Sequence, residues 1–206
     1  MNLKIKQSEK IVIIGMSGSG KTTLGKWLIK NLKMKNKIII DPVGQFIQSP
    51  KVAGYLGTWE KIPVFKVFST EALNVFLSKI FAKDPFFLFL DEADQYIPAH
   101  YITITNYTFI FRYLKEGRNF NEGGILIAQL LSQLNKQAFT NSQWLIFFKL
   151  NNRSSLDYLH SMLPFDVYKL DSELKKYEFY LINLAESELL GKYRLDLRFN
   201  QIMRIS

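Results

Sequence analysis

The chain has 206 residues, 48% of them hydrophobic and 22% charged, a composition that is typical of a folded globular protein and excludes a disordered one. Its formal net charge of +9 favours a polyanionic partner, nucleic acid first, although a lysine-rich solvated surface gives the same balance. The sequence has no cysteine, which excludes disulfides and cysteine zinc sites, and no apolar run long enough for a transmembrane segment or a signal peptide.

The first predicted element is a short apolar strand at residues 11–14, and a glycine-rich turn follows it at once. Residues 15–22 read GMSGSGKT, which fits every fixed position of the phosphate-binding loop pattern G-x-x-x-x-G-K-[ST]. A helical pattern then runs over residues 23–33. A strand, a glycine turn and a helix start direct backbone N–H groups at a phosphate, at the positive end of a helix dipole. The motif therefore predicts a nucleoside triphosphate site.

Each position of this loop has an expected role in binding ATP and Mg²⁺. Lys21 is expected to reach the terminal phosphates and to contribute to catalysis, and the Thr22 hydroxyl is expected to hold the metal ion. The residues predicted to contact the nucleotide are Gly15, Met16, Ser17, Gly18, Ser19, Gly20, Lys21, Thr22 and Thr23.

The chain then continues with further strands and one amphipathic helix. An apolar strand at residues 38–40 ends at an Asp-Pro pair, and residues 43–63, with several glycines and prolines, predict an irregular loop. Alternating apolar positions predict a strand at residues 64–68. Apolar residues at helical spacing predict a helix at residues 70–83.

The next apolar strand, at residues 86–90, ends in two acids, Asp91 and Glu92. The first acid is placed to hold Mg²⁺ beside Thr22, so Asp91 is the second predicted metal residue. Glu92 is then placed to accept a proton from the water that attacks the γ-phosphate, which makes it the predicted catalytic base. A second adjacent acid favours hydrolysis by water over transfer to a bound acceptor, and so favours an ATPase over a kinase.

The remaining core elements alternate between helix and strand. A helix is predicted at residues 106–116, strands at 124–128 and 144–150, and a helix at 154–162 that opens with a capping box at Ser154. All-apolar strand runs separated by helices predict a parallel sheet with helices on both faces.

The pattern changes near the C-terminus. Residues 177–184 and 192–199 predict an antiparallel β-hairpin whose turn ends at Gly191. The sequence has no internal repeat or clear linker, so residues 1–206 are predicted to form a single domain, with a core at 11–163 and a hairpin extension at 176–200.

Three further motifs complete the set. Gln129 directly follows the strand at residues 124–128, the letters KEGR occur at 115–118, and DPVG occurs at 41–44. Together with the phosphate loop and the acid pair, this order of motifs resembles the HerA–FtsK superfamily of DNA-pumping ATPases over residues 11–162.

The resemblance implies a fold and further site residues. It implies an α/β, RecA-like P-loop NTPase fold with a mostly parallel central sheet. It implies that Gln129 senses the γ-phosphate or the attacking water, and that Arg118 acts in catalysis on the nucleotide of a neighbouring subunit. Arg153 and Arg112 compete for that second role. Lys149 stands where the family often has an arginine on its last core strand.

The resemblance also implies a function and partners. In size and motif order the chain is similar to the genome-packaging ATPases of membrane-containing icosahedral viruses, including archaeal ones. It implies a homo-oligomeric ring, a hexamer or a pentamer, that drives double-stranded DNA into a preformed capsid without reading its sequence. The implied location is the host cell cytoplasm, in association with virions or procapsids, and the implied further partner is a capsid vertex or membrane component.

Three alternative functions stay open from the sequence. The first is a cellular HerA- or FtsK-like DNA-processing ATPase. The second is a small-molecule or nucleotide kinase, although the sequence has no cluster of closely spaced arginines to close over an acceptor. The third is a nucleotide switch without catalysis.

Overall fold

Within residues 4–48, 53–81, 84–100, 103, 105–197 and 201–205, which a computed structural model describes, the chain forms one ten-stranded sheet. The strands are β1 Lys10–Ile14, β2 Lys37–Ile40, β3 Gly54–Trp59, β4 Ile62–Lys66, β5 Phe87–Leu90, β6 Gly123–Ala128, β7 Trp144–Phe148, β8 Glu178–Asn183, β9 Glu188–Asp196 and β10 Gln201–Arg204. The helices are α1 Lys21–Asn31, α2 Thr70–Phe81, α3 Ala93–Tyr96, α4 Thr108–Glu116, α5 Lys136–Thr140, α6 Arg153–Met162 and α7 Val167–Ser172, with 3₁₀ turns at Gly117–Phe120 and Leu131–Gln133.

The sheet has the strand order β10-β9-β8-β7-β1-β6-β5-β2-β4-β3. Its central strands, from β4 to β7 in this order, are parallel, whereas β3 at one edge and β8, β9 and β10 at the other pair antiparallel. The strand β1 lies between β6 and β7, with Val12 opposite both Leu126 and Leu145. The predicted α/β fold with a mostly parallel sheet and C-terminal antiparallel strands is therefore confirmed.

Helices cover both faces of the sheet, because the central strands are apolar on both sides. Alternate residues of β1 belong to two separate hydrophobic clusters, Val12 and Ile14 to one and Ile11 and Ile13 to the other. Helices α2, α4 and α6 pack on the first cluster, and α1 packs on the second. Burying each such aliphatic side chain stabilises the fold by roughly 1.5–3 kcal/mol. None of the helices in the described part of the chain has both the length and the apolar composition needed to cross a bilayer.

The C-terminal region differs from the predicted hairpin in two ways. The turn lies at residues 184–187, and Gly191 lies inside β9, opposite Leu181, where the register with β8 shifts. The glycine therefore marks a β-bulge and not a turn, because a bulged residue with φ of 138° is easily accommodated only by glycine. A third strand, β10, then extends the predicted hairpin, whose residues 198–200 lie outside the described part of the chain.

Two other local predictions are wrong. The region 43–63, predicted to be irregular, contains β3 and the start of β4, which are joined by a tight turn at Glu60 and Lys61 with φ of 49° and 66°. Two successive positive φ values are typical of a type I′ hairpin turn, for which the sequence lacks the usual Asn-Gly signal. Residues 49–52 of that region lie outside the described residues.

The second wrong prediction concerns the start of α6. This helix begins at Arg153, and its N-cap is Asn152, whose side chain accepts a hydrogen bond from the Ser155 backbone N–H at 2.9 Å. The predicted cap at Ser154 is wrong because Asn152, two residues earlier, is the N-cap.

Candidate nucleotide-binding site

The phosphate loop leaves the carboxyl end of β1 and enters α1 at Gly20. Gly20 has φ of 106°, which favours glycine, and no side chain in the described residues caps the first N–H groups of α1. These N–H groups are therefore available to an anion at the positive end of the helix dipole. A Cβ at Gly15 would lie 2.6 Å from the Cβ of Phe148, so this turn also needs glycine for close packing against β7.

The lysine of the loop lies back across the loop backbone. The Lys21 ammonium donates hydrogen bonds to the carbonyls of Gly15 at 2.7 Å and Met16 at 3.0 Å. Burial lowers the pKa of Lys21, and the nearby Asp91 charge partly offsets this effect. The two carbonyls thus hold the cation against the loop that would carry the phosphates.

Thr22 and Asp91 form an oxygen pair beside the loop. The Thr22 hydroxyl donates to Oδ2 of Asp91 at 3.0 Å, and Oδ1 of the same carboxylate accepts from the backbone N–H of Glu92 at 2.9 Å. Asp91 is only 3% exposed, and burial raises its pKa. A hydroxyl and one carboxylate are hard oxygen donors, which suits Mg²⁺ because that ion usually takes one or two protein groups together with phosphates and water. The two residues therefore fit the predicted metal site.

Glu92 begins the turn into α3 in an unusual backbone conformation. Its φ is 51°, in the left-handed region, and its Oε2 accepts a hydrogen bond from the Gln95 side chain at 2.9 Å. Burial raises the pKa of Glu92, and the negative charges of Asp91 and Asp94 raise it further. A carboxylate with a raised pKa is a stronger base, which suits proton transfer from water.

Gln129 reaches the same edge of the sheet from β6. Because β6 lies between β1 and β5, its end lies between the phosphate loop and the acid pair. Asp94 fixes the backbone there: its Oδ2 accepts from the N–H groups of Gln129 at 3.1 Å and Leu130 at 2.8 Å. Asp94 is not among the predicted site residues, although a third acid two residues after Glu92 is a signal of it in the sequence.

Parts of the phosphate loop, the acid pair Asp91 and Glu92, and Gln129 line a single cleft of about 380 Å³. It brings together most of the predicted site: Ser17, Gly18, Gly20, Lys21, Thr22, Thr23, Asp91, Glu92 and Gln129. Gly15, Met16 and Ser19 form the loop but do not line the cleft. Six residues that were not predicted as site residues also line it: Val43, Gln45, Ile127, Ala128, Tyr177 and Leu197.

The turn after β2 explains how one of these missed residues reaches the cleft. The carboxylate of Asp41, which is fully buried, accepts hydrogen bonds from the backbone N–H groups of Gln45 and Phe46, both at 2.8 Å. This arrangement folds the DPVG turn over the sheet edge and places Gln45 at the cleft.

Arg118 does not lie at the cleft of its own chain. It belongs to the 3₁₀ turn before β6 and lines a second cavity of about 410 Å³ together with Lys10 and Lys115. Since Lys10 begins β1 and Gly15 follows its end, this cavity lies at the opposite edge of the sheet from the phosphate loop.

The two competing arginines occupy different places. The Arg112 guanidinium lies 4.7 Å from the ring centroid of Phe81 and 4.1 Å from that of Phe120, so it is engaged in packing. The Arg153 side chain is 80% exposed at the start of α6, on the phosphate-loop edge of the sheet, and pairs with Asp157 at 3.1 Å.

Comparisons with known proteins agree with this geometry. The ABC transporter family model matches residues 1–66, which include the phosphate loop. No curated protein sequence matches the chain. Among solved structures, the genome-packaging NTPase B204 of Sulfolobus turreted icosahedral virus 2, in complex with AMP, is similar with a TM-score of 0.70 at 18% identity, over 90% of this chain and 96% of that one.

The DNA-packaging ATPase B204 of Sulfolobus turreted icosahedral virus is similar over 98% of this chain and 100% of that one, with a TM-score of 0.68 at 19% identity. The chain therefore has a P-loop NTPase fold. The pCW3 conjugation coupling protein TcpA shares this fold more distantly, with a TM-score of 0.57 at 13% identity over 84% of this chain and 57% of that one. The predicted resemblance is thus confirmed for the fold.

Proposed function

We propose that the protein is an ATPase that drives double-stranded DNA, and that its task is to package a viral genome into a preformed capsid. The main support for ATPase activity is the cleft, in which Lys21, Asp91 and Gln129 lie together at one edge of the sheet. The packaging role is supported by the likeness in fold to B204 over nearly the whole of both chains. The net charge of +9 fits a partner that is a polyanion.

In this mechanism the loop residues bind the phosphates, Asp91 helps to hold the metal ion, and Glu92 transfers a proton. The N–H groups of the loop and the Lys21 ammonium bind the phosphates of ATP. Mg²⁺ bound to Thr22 and Asp91 would neutralise charge on the β- and γ-phosphates. Glu92 accepts a proton from water while the water oxygen bonds to the γ-phosphorus and the bond to the β–γ bridging oxygen breaks. ADP and phosphate leave, and the proton passes from Glu92 to solvent.

Gln129 orients the reacting groups, and Asp94 positions Gln129. A side-chain amide can donate to a phosphate oxygen and accept from the attacking water, so it distinguishes ATP from ADP. The backbone N–H groups of Gln129 and Leu130 donate hydrogen bonds to the Asp94 carboxylate, which fixes the position of the backbone that carries the Gln129 side chain. Asp94 is therefore a positioning residue in this proposal.

Asp94→Ala is expected to lower the ATPase kcat by about 10- to 100-fold, because a misplaced Gln129 no longer orients the water. The loss of an acceptor for two N–H groups should also reduce the free energy of unfolding by about 1–3 kcal/mol. Asp94→Asn retains an oxygen acceptor and serves as the matched control. Steady-state kinetics and thermal melting check both effects, and an unchanged kcat in the alanine variant would contradict the positioning role.

Arg118 acts on the nucleotide of a neighbouring subunit in this proposal, since it lies at the sheet edge opposite its own cleft. A contact between unlike edges of successive subunits is head-to-tail, and such contacts close into rings such as a hexamer or a pentamer. Hydrolysis in one subunit then changes the contacts of Arg118 in the neighbouring subunit.

Arg118→Ala is expected to bind ATP normally but hydrolyse it about 10³-fold more slowly, because an arginine acting across an interface stabilises transition-state charge. Mixing this variant with Glu92→Gln protein should restore part of the activity, since some interfaces then combine an intact arginine with an intact base. Arg153→Ala is the matched variant, because Arg153 is the exposed arginine on the cleft edge. If only Arg153→Ala loses activity, Arg118 is the wrong arginine.

ATP turnover with and without double-stranded DNA tests the proposed function. Duplex DNA of any sequence should stimulate turnover, and the stimulation should weaken steeply as salt concentration rises, because phosphate contacts release counterions. A kinase would respond to a small hydroxyl-bearing acceptor instead, and a non-catalytic switch would show no turnover. Uptake of DNA into co-expressed capsids separates packaging from a cellular DNA-processing role.

A further inference from the structure

One rim of the cleft is apolar and is formed by residues from the C-terminal part of the chain, and the proposed catalytic residues do not contribute to it. Tyr177 and Leu197 line the cleft, and both also line an adjoining cavity of about 280 Å³ with Leu195 and Met203 among its walls. Leu197 is 47% exposed and Met203 is 44% exposed. Exposed apolar side chains beside a polar phosphate cleft suggest a ligand with an apolar, flat part.

The sheet topology places this rim on the side of the phosphate loop away from the catalytic groups. Asp91, Glu92 and Gln129 follow β5 and β6, which lie on one side of β1, whereas β7 and β8 lie on the other. A triphosphate whose last phosphate faces Gln129 therefore continues towards β7 and β8. Strands lie about 4.8 Å apart, so β8 is about 10 Å from β1 across the sheet.

The strand register brings the rim to the correct edge of the sheet. Phe148 at the end of β7 pairs with Phe179, and Glu178 pairs with Arg194, so the start of β8 and the end of β9 lie at the carboxyl edge of β1. Tyr177 immediately precedes β8, and Leu197 immediately follows β9.

Tyr177 lies directly against the phosphate loop. A Cβ built on Gly20 would be 3.2 Å from Cδ1 of Tyr177 and 3.4 Å from Cδ1 of Leu195. Tyr177 has φ of 68°, a strained conformation for a bulky residue. The Lys176 ammonium lies 5.1 Å from the centroid of the Tyr177 ring, so a positive charge also lies beside this aromatic group.

We propose that the nucleobase of ATP stacks on Tyr177 and is covered by Leu197 and Met203. This inference rests on the proposed nucleotide-hydrolysing function and assigns the base-binding part of its site. The C-terminal strands, which lie beyond the core carrying the phosphate loop and acid pair, are then part of the nucleotide site. The base is held by stacking and apolar contact, a mode that accepts any flat aromatic ring.

The test compares ATP with inorganic tripolyphosphate, which has the three phosphates but no base. Tyr177→Ala should weaken ATP binding by about 5- to 100-fold, the range expected for the loss of one stacking partner. Its affinity for tripolyphosphate should equal that of the unaltered protein. Tyr177→Phe keeps the aromatic face and should bind ATP normally. Tyr55→Ala is the matched control, since Tyr55 is 61% exposed in β3 at the far edge of the sheet.

Each other outcome overturns the inference. Unchanged ATP affinity in Tyr177→Ala, or an equal loss for ATP and tripolyphosphate, would show that Tyr177 does not hold the base. If the alanine variant does not fold, Tyr177→Leu keeps an apolar contact with Gly20 without an aromatic face, and the same comparison applies. If the unaltered protein binds neither ligand, the proposed function itself is contradicted. If it binds ATP and the affinity does not depend on Tyr177, only the proposed base site is contradicted.

Discussion

Replacing Glu92 with glutamine is expected to slow ATP hydrolysis by about 10²- to 10⁴-fold while leaving ATP bound, because the amide has the shape of the carboxylate but cannot accept the proton. Single-turnover kinetics and ATP affinity, measured on the same preparation, check the two parts separately. Glu60→Gln is the matched control, since Glu60 pairs with Lys30 at 2.7 Å on the surface. Hydrolysis at the normal rate in Glu92→Gln would show that another group is the base.

The protonation of Glu92 adds a pH dependence to this expectation. Only the carboxylate form accepts a proton, and burial, followed by the charges of Asp91 and Asp94, raises the pKa of Glu92. Activity should therefore fall as pH decreases through a value above the ordinary glutamate pKa. The residual activity of Glu92→Gln should lack this acid limb.

Lys21→Ala is expected to abolish turnover, with a loss of about 10³-fold or more, because the developing charge on the phosphates loses its nearest cation. The Lys21 ammonium also donates to the carbonyls of Gly15 and Met16, so its removal loosens the loop that binds the phosphates. ATP affinity and turnover are both measured. Lys30→Ala, which removes a surface lysine of the same helix, is the control and should behave as the unaltered protein. Normal hydrolysis in Lys21→Ala would refute the assignment of the loop.

The central part of the site could be predicted because its chemistry is local in the sequence. The phosphate loop is contiguous and lies between an apolar strand and a helix, and both Asp91 and Gln129 directly follow apolar strands. In parallel strands such positions share one edge of the sheet, so strand ends alone indicate that these side chains meet.

Contacts that depend on strand order and register could not be predicted in the same way. Asp94 reaches Gln129 across 35 positions of sequence, and Tyr177 reaches Gly20 only because β8 pairs antiparallel with β7. The sequence predicts that Gly191 ends a turn, because a glycine next to a polar segment is typical of turns. Glycine is also typical of β-bulges, and only the pairing with β8 distinguishes the two. The position of Arg118, far from the cleft of its own chain, follows only from the direction of the strands.

A structure of the protein with Mg²⁺ and a non-hydrolysable ATP analogue tests most directly whether the cleft is the ATP site. We expect the triphosphate on residues 15–22, with the Gln129 amide within hydrogen-bonding distance of the γ-phosphate or of a water beside it. A triphosphate bound elsewhere, or Gln129 directed away from the last phosphate, would contradict the account.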